Sequence, residues 1–439
     1  MGRFVPLQEI VFLFAISFLA STSAYPAADT LPDEVALETA LRIAREGHPS
    51  LLVAERSVSG SRHLIDQGAL RRNPSFSFQM ENVRFTGDPS LDFSDDVDIF
   101  AYVTQPLERG GKRSGRVEVG KRRQQVLELR RVQTEWMIRQ EVRVAFWKAL
   151  LAQKELAMIR ENTQLFGSVV EYHKSLFQEG VIPEADLVRI QLEQGRLELM
   201  EEAAAGDART ARLELTAAMG FETGDADFLL VDEPLSKVEG GGASLEEIRQ
   251  LARVKRLEIQ VARAEIEVIR AEVELEKANG RQDWDLILGY KRTGGFDTLL
   301  GGISIPLPLF DKNQGNIAFR ISEVDRVEAM QRQRAVTVDA EVLAALSRVQ
   351  RRYRTLVKLE SGMLDQAEES WSIARAAYAE GAGDLLRLID AQRSRNDILL
   401  LHNRAELELQ IERVKLEASV GVENLQIGLE LVKGEELKD

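Results

Sequence analysis

Apolar residues keep helical spacing over most of this chain. From about residue 113 to 177 there is no proline, and apolar positions step alternately by four and three, which is the spacing of a coiled-coil seam. The seam consists of Ile138, Val142, Ala145, Ala149, Ala152, Leu156 and Ile159. A helix of that extent is on the order of 95 Å long. The pattern therefore predicts a helix packed in a coiled coil or tube. A turn at 179–183 and a return helix over 184–219 complete a long hairpin.

Ahead of this hairpin the period changes. Amphipathic helices are predicted over 31–44 and 49–70, and after them Phe76, Phe78 and Met80 alternate with polar residues. A second apolar run follows, so a pair of β-strands is predicted at about 75–107. The alternation fits a soluble hairpin and equally a membrane hairpin with one side facing lipid. The pattern alone leaves both open.

The second half of the chain repeats the first. Helix restarts at a capping box, Ser244 with Glu247, and is expected to run to about Ala278. A strand pair at about 284–307 and a long hairpin at about 316–421 follow, with the outgoing helix expected to be unbroken to Tyr378. Its seam lies 200 positions beyond the first: Val338, Val342, Ala345, Val349, Arg352, Leu356 and Leu359. A register kept across helix, strand and turn indicates internal duplication.

A sharp change of backbone type is predicted where each strand pair meets its long helix. This corner contains Pro106, Gly110, Gly111 and Lys112 in the first copy, and Pro306 and Lys312 in the second. Proline and paired glycines are turn signals, so we interpret the corner as architectural, the place where strand becomes helix. Cations at that level, namely Lys112, Arg113 and Arg116, would suit lipid headgroups.

The two ends of the chain lie outside the predicted repeats. Arg3 precedes an apolar core at 10–19 and the small residues Thr22-Ser23-Ala24, which is the pattern of a signal peptide. About ten apolar residues are too few to span ~30 Å of hydrocarbon as a helix. The expected units are a signal peptide at 1–24, a first repeat at 25–219, a linker at 220–243, a second repeat at 244–421 and a tail at 422–439.

Composition narrows the function classes. The 439 residues include no cysteine, which excludes disulfides and thiolate metal sites. A net charge of −14 argues against nucleic acid as a partner. No other run approaches the length of a transmembrane helix, so integral contact with a membrane would need β-strands. Four strands cannot close a barrel, for which ~8 is the practical minimum, whereas a trimer would supply twelve.

Taken together, these features resemble the TolC-type family of outer-membrane efflux ducts. Asn73-Pro74 before the first strand and the motif from Gln105 to Arg113 after the second are similar to the branch serving heavy-metal (cobalt–zinc–cadmium) resistance pumps. The turns resemble the family's hairpin tips, with Gly180 followed by Asp186 and Gly381 by Asp390.

The resemblance implies a membrane β-barrel joined to an α-helical barrel, 12-stranded as a homotrimer, in the outer membrane with a long periplasmic extension. It implies a passive duct rather than an enzyme, without a cofactor. The expected partners are outer-membrane lipid, a periplasmic adaptor (membrane fusion) protein and an inner-membrane RND pump, with heavy-metal cations as substrate. The sequence leaves open a periplasmic coiled-coil adaptor, or a duct for drugs or secreted polypeptides.

The same resemblance assigns two candidate sites. Adaptor contacts are expected at the hairpin tips Gly180, Val181, Ile182, Gly381, Ala382 and Gly383. The family's periplasmic gate uses acidic residues six and nine positions after the second tip glycine, which here are Arg387 and Asp390. Because the first is a cation, Arg387 paired with Asp384 or Asp390 would form a neutralised latch.

Metal-binding and catalytic signals are weak. The four histidines form no closely spaced pair, and there is no methionine cluster, so no dedicated metal site is expected. His173 falls on the heptad seam, which favours a core or interhelical hydrogen-bonding role. No nucleophile–base pattern rises above background.

Overall fold

The computed structural model describes residues 31–83, 96–221, 227–233 and 243–428. The predicted signal peptide, most of the linker and the end of the tail lie outside these ranges. The described elements are β1 (Glu34–Val35), α1 (Leu37–Gly47), α2 (Pro49–Gly68), β2 (Ser75–Glu81), β3 (Asp98–Leu107), α3 (Lys112–Gln178), α4 (Glu184–Ala218), β4 (Leu229–Leu230), α5 (Leu245–Lys255), α6 (Leu257–Asn279), β5 (Trp284–Thr293), β6 (Phe296–Ser304), α7 (Gln314–Lys358), a π-helical segment (Leu359–Met363), α8 (Leu364–Ala379) and α9 (Leu385–Val420).

Strands from both repeats form one antiparallel sheet in the order β2-β3-β5-β6. The central pair, β3 with β5, joins the two repeats. Their close approach requires a glycine, since a Cβ at Gly289 would lie 2.4 Å from the Ala101 carbonyl oxygen. Phe78, Tyr290 and Leu299 stand on one face of the sheet, and all three are exposed. This face is therefore apolar, and the described residues leave it uncovered.

The core follows the predicted seams. All seam positions of the first copy except Ala152 are buried. Those from Ile138 to Ala149 pack with α1, α4, β4 and α9, whereas Leu156 and Ile159 pack against α4. In the second copy Val342, Ala345 and Val349 are fully buried against α5 and α9. Arg352 lies on that seam half-buried, where its Nη1 is 2.7 Å from the Glu408 carboxylate. The apolar spacing thus predicted the helix-packing surface correctly.

The main departure from expectation is a break in the outgoing helix of the second copy. The helix α3 is continuous for 67 residues, but its counterpart is interrupted by the π-helical segment at 359–363. Within that segment Gly362 has φ 141°, a conformation that glycine adopts without a side-chain penalty. The unbroken helix predicted to Tyr378 was therefore wrong.

Three smaller boundaries also differ. The first helix begins at Leu37 rather than residue 31, because β1 pairs in parallel with β4 from beyond the first hairpin. The helix expected over 244–278 is divided at Arg256, whose ψ is 121°. The strand β6 ends at Ser304, before the expected end at Leu307. Within the described residues, no helix has the length and apolarity needed to cross a membrane.

Candidate functional site

A part-buried ion pair holds the first corner together. Lys112, the first residue of α3, is 8% exposed, and its Nζ lies 2.7 Å from Oδ1 of Asp283. The backbone N–H of Arg109 donates to the same oxygen at 3.0 Å. Burial alone would raise the pKa of Asp283, but the Lys112 and Arg109 hydrogen bonds outweigh it and lower that pKa. Because Asp283 immediately precedes β5, this pair joins the two repeats.

A second pair at this corner joins three elements. The Arg116 guanidinium makes two hydrogen bonds to the Glu108 carboxylate, at 2.6 and 2.9 Å. Its Nε also donates to the carbonyl of Gly68, the last residue of α2. The hydrogen bond from Arg116 is the main reason that the pKa of Glu108 is lowered. Lys112 and Arg116 are thus held by carboxylates of the chain, and Arg113 is exposed; contact of this corner with lipid headgroups stays a prediction.

The second corner is built differently. The residue before α7 is Asn313, with φ 64°, where the first copy has Gly111 with φ 81°. The Asn313 side chain donates to the backbone carbonyl of Glu276 at 2.8 Å. Pro306 and Lys312 are exposed and lie outside strand and helix. The structural match is therefore offset by 202 positions (313 − 111), and Lys312 is not the counterpart of Lys112.

The two hairpin tips share one backbone arrangement, a Schellman motif. In each tip a glycine N–H bonds the carbonyl three residues earlier, and the next N–H bonds the carbonyl five residues earlier. These bonds are Gly180 to Phe177, Val181 to Leu176, Gly381 to Tyr378 and Ala382 to Ala377. Val181 is 64% exposed, Ile182 and Gly383 are half-buried, and the other tip residues are exposed. The tips are accessible in the single chain, and their adaptor role stays a prediction.

Two contacts join the hairpins behind the tips. His173 is buried; its Nε2 lies 2.6 Å from the Tyr378 hydroxyl, which links α3 to α8. The predicted interhelical hydrogen bond is confirmed. Glu193 on α4 accepts hydrogen bonds from Arg196 and from Arg393 on α9. Burial would raise the pKa of Glu193, but the two arginines lower it.

The predicted gate residues do not pair within one chain. Asp384 caps α9, where its Oδ1 accepts from the Leu386 N–H at 3.3 Å. Arg387 and Asp390 are exposed, and in the described residues Arg387 makes no ion pair with either carboxylate. The intrachain latch is not formed, whereas a gate between copies remains a prediction.

Sequence reasoning missed two carboxylates, the half-buried Asp283 and the buried Glu193. Their partners Lys112 and Arg393 lie 171 and 200 residues away in sequence, so no local spacing predicts these two pairs. Glu193 and Arg393 are 200 positions apart, which is the offset between the two repeats, so the duplication already placed them at equivalent positions. Both pairs connect the first repeat with the second.

Comparison with known proteins shows a family match and two similar resistance proteins. The outer membrane efflux protein family matches residues 40–221 and 248–422. The cobalt-zinc-cadmium resistance protein CzcC of Cupriavidus metallidurans is 24% identical over 393 residues, which cover 87% of this chain and 91% of that protein. The nickel-cobalt-cadmium resistance protein NccC of Alcaligenes xylosoxydans xylosoxydans is 25% identical over 332 residues, covering 74% and 71%.

Solved structures agree on the fold. The outer-membrane channel OprN has a TM-score of 0.71 at 19% identity, with 88% of this chain and 89% of that chain covered. The CmeC outer membrane channel of Campylobacter jejuni has a TM-score of 0.72 at 12% identity, with 91% and 88% covered. The predicted resemblance to outer-membrane efflux ducts is confirmed. With matched segments that include both helical hairpins and all four strands of the sheet, the chain belongs to the outer membrane efflux protein family.

Proposed function

We propose that three copies of this chain assemble into a duct with a twelve-stranded barrel in the outer membrane. The observation that supports this is the four-stranded sheet. Its outer strands β2 and β6 each pair on one side only within the described residues. Unpaired backbone groups are costly in hydrocarbon, so the edges must find partners in another copy. Three sheets of four strands would close a barrel in which β6 of one copy pairs with β2 of the next.

The helical hairpins support the same assembly. The helix α3 is about 100 Å long, at ~1.5 Å for each of its 67 residues. Large apolar side chains remain exposed on α4, among them Leu192 at 71% and Leu199 at 69%. Burying such residues between copies is favourable, at about 25 cal/mol per Å². Three copies would place six hairpins around one axis as a periplasmic α-helical barrel.

The transported substrate is proposed to be heavy-metal cations. CzcC and NccC are named for resistance to cobalt, zinc, cadmium and nickel. A passive duct needs an energised partner, so an inner-membrane RND pump and a periplasmic adaptor would deliver the ions. The exposed tips at 180–182 and 381–383 would receive the adaptor. A net charge of −14 is compatible with the passage of cations.

Cross-linking tests the assembly directly, because the chain has no cysteine. Gln79→Cys on β2 combined with Thr298→Cys on β6 should give covalent dimers and trimers in outer-membrane fractions treated with a short bismaleimide. The linker must be shorter than the ~14 Å (three strand spacings) that separates the two residues within one sheet, so that it cannot join them in the same chain. The single variants are the matched controls and should give no trimer. A chain that stays monomeric in native electrophoresis, or one found in the soluble or inner-membrane fraction, would overturn the trimeric duct.

Growth assays test the substrate. A strain that lacks this protein should become sensitive to zinc, cobalt or cadmium, and the intact gene should restore resistance. Copper and silver serve as comparison metals. Unchanged sensitivity to all five metals would refute the proposed cargo while leaving the trimer intact.

A further inference from the structure

The break in the second outgoing helix brings three metal-ligating side chains together. His402 and Glu406 lie four residues apart on α9, hence on one face. Glu360 belongs to the π-helical segment opposite them. The His402 Nε2 is 3.6 Å from Glu360 Oε1, and Nδ1 is 3.9 Å from Glu406 Oε2. One donor atom from each residue can be chosen so that all three lie within 4.8 Å of one another.

The first repeat has a different arrangement at the matching place. Arg160, 200 positions before Glu360, pairs with Glu201, 201 positions before His402, at 3.2 Å. The charges of that arginine and that glutamate therefore cancel. In the second repeat a carboxylate replaces the arginine and an imidazole replaces the glutamate. Among the described residues, no lysine or arginine forms an ion pair with Glu360 or Glu406. The second repeat thus leaves two carboxylates beside one imidazole without a cation of the chain between them.

We propose that Glu360, His402 and Glu406 bind one divalent transition-metal ion in each chain. One imidazole nitrogen with carboxylate oxygens is a donor set that suits Zn²⁺ and Co²⁺. The metal charge offsets both carboxylates. The expectation of no metal site considered only histidine pairs and methionine clusters. It missed a His-x₃-Glu pair on one helix with its third donor on another.

The geometry indicates an open and exchangeable site. Tetrahedral donors ~2.0 Å from a zinc ion lie about 3.3 Å apart, so the side chains must draw inward by roughly 1 Å. The Glu360 side chain is 51% exposed and His402 22%, which leaves room for that movement. Three protein donors also leave a coordination position for water. The site therefore suits an ion that enters from solvent and leaves again. A role as a stopping point for exported ions would rest on the proposed function, but binding itself does not.

Zn²⁺ binding to the purified full chain tests the site. Equilibrium dialysis in excess Mg²⁺, which suppresses weak binding to surface carboxylates, should show one Zn²⁺ per chain that is lost in His402→Ala. Glu360→Gln and Glu406→Gln should each weaken binding at least tenfold. The matched control is His63→Ala, an exposed histidine on α2, which should bind as the wild type does. Co²⁺ should give visible d–d absorption of the intensity expected for a four- or five-coordinate ion, and this absorption should disappear in His402→Ala.

Equal Zn²⁺ binding by wild type and His402→Ala would overturn the proposal. Wild-type affinity in both glutamate variants would do the same, because it would leave a single histidine ligand. Circular dichroism and thermal unfolding without metal establish that each variant is folded. The two tests can be told apart. If deletion strains are metal-sensitive but the purified protein shows no Zn²⁺ site, only this inference is refuted. A Zn²⁺ site in a protein whose loss causes no metal sensitivity refutes only the cargo.

Discussion

Replacement of Glu193 by glutamine should loosen the ends of the two helical hairpins from each other. The Glu193 side chain is 10% exposed and accepts from Arg393 Nη2 at 2.5 Å and from Arg196 Nη2 at 2.9 Å. The substitution keeps the volume and removes the charge. A hydrogen bond to a charged group contributes about 1.5–3 kcal/mol. Both arginine side chains are about 40% exposed, so water compensates part of the loss. We therefore expect a cost of about 1–2 kcal/mol, a factor of roughly 5–30 in local opening.

Hydrogen–deuterium exchange read by mass spectrometry measures that opening segment by segment. Peptides covering 190–197 on α4 and 389–396 on α9 should exchange faster in Glu193→Gln by roughly 5–30-fold. Glu198→Gln is the matched control, since Glu198 lies one turn further along α4 with an exposed carboxylate that bonds only Gln194 among the described residues. The reasoning fails if exchange in both segments changes by less than about twofold, or if the control changes equally.

The same carboxylate gives a pH prediction. The pKa of Glu193 is lowered, because its two arginine hydrogen bonds outweigh burial. A carboxylate with a lowered folded-state pKa stabilises the fold fully above the pKa it has when unfolded, and this stabilisation is lost as the pH falls through the folded value. After correction for intrinsic exchange rates, the wild type should lose protection in acid below the ordinary glutamate range. Glu193→Gln should show no such step at these peptides.

Three further substitutions test other parts of the molecule. Gly289→Val should abolish trimers in the outer-membrane fraction, because its side chain meets the backbone of β3. Gly301→Ala on β6 should assemble normally, because its Cβ meets no atom of its own chain within 4 Å and points away from the strand edge. Val181→Ser should leave the amount of outer-membrane protein unchanged and reduce metal resistance; full resistance would contradict adaptor docking at this tip. Asp283→Asn should lower stability by about 1.5–3 kcal/mol, since it removes the charged acceptor of Lys112 in a part-buried pair, and an unchanged thermal midpoint would argue against that pair.

The sequence was sufficient for features that repeat along the chain. Both seams were predictable because burial recurs at heptad spacing, and the strands were predictable because their period is two. The break at Gly362 was not predictable, because a glycine within a helical pattern does not by itself end the helix. Gly167 and Gly195 lie inside α3 and α4 and stay helical. All three glycines lie in stretches predicted to be helical, so the local sequence does not distinguish the one that interrupts its helix.

The candidate site shows the same limit. His173 was predictable because it falls on a seam, and a buried polar group there must find a hydrogen-bond partner. The pairing of Glu193 with Arg393 depends on how one hairpin packs beside the other. Glu360 reaches His402 only because the helix is interrupted there. Such contacts are set by tertiary geometry, which periodicity does not encode.

The interruption at Gly362 also makes the two hairpins mechanically unequal. The first is stiff along all 67 residues of α3, whereas α8 extends only 16 residues beyond the break. Those residues form a lever arm of about 24 Å, so a bend of about 10° at its base displaces the tip by about 4 Å. The second tip can therefore move further than the first only where α9, which is continuous over Leu385–Val420 beside the break, bends with it. In a threefold assembly, three compliant ends would alternate with three rigid ones around the axis.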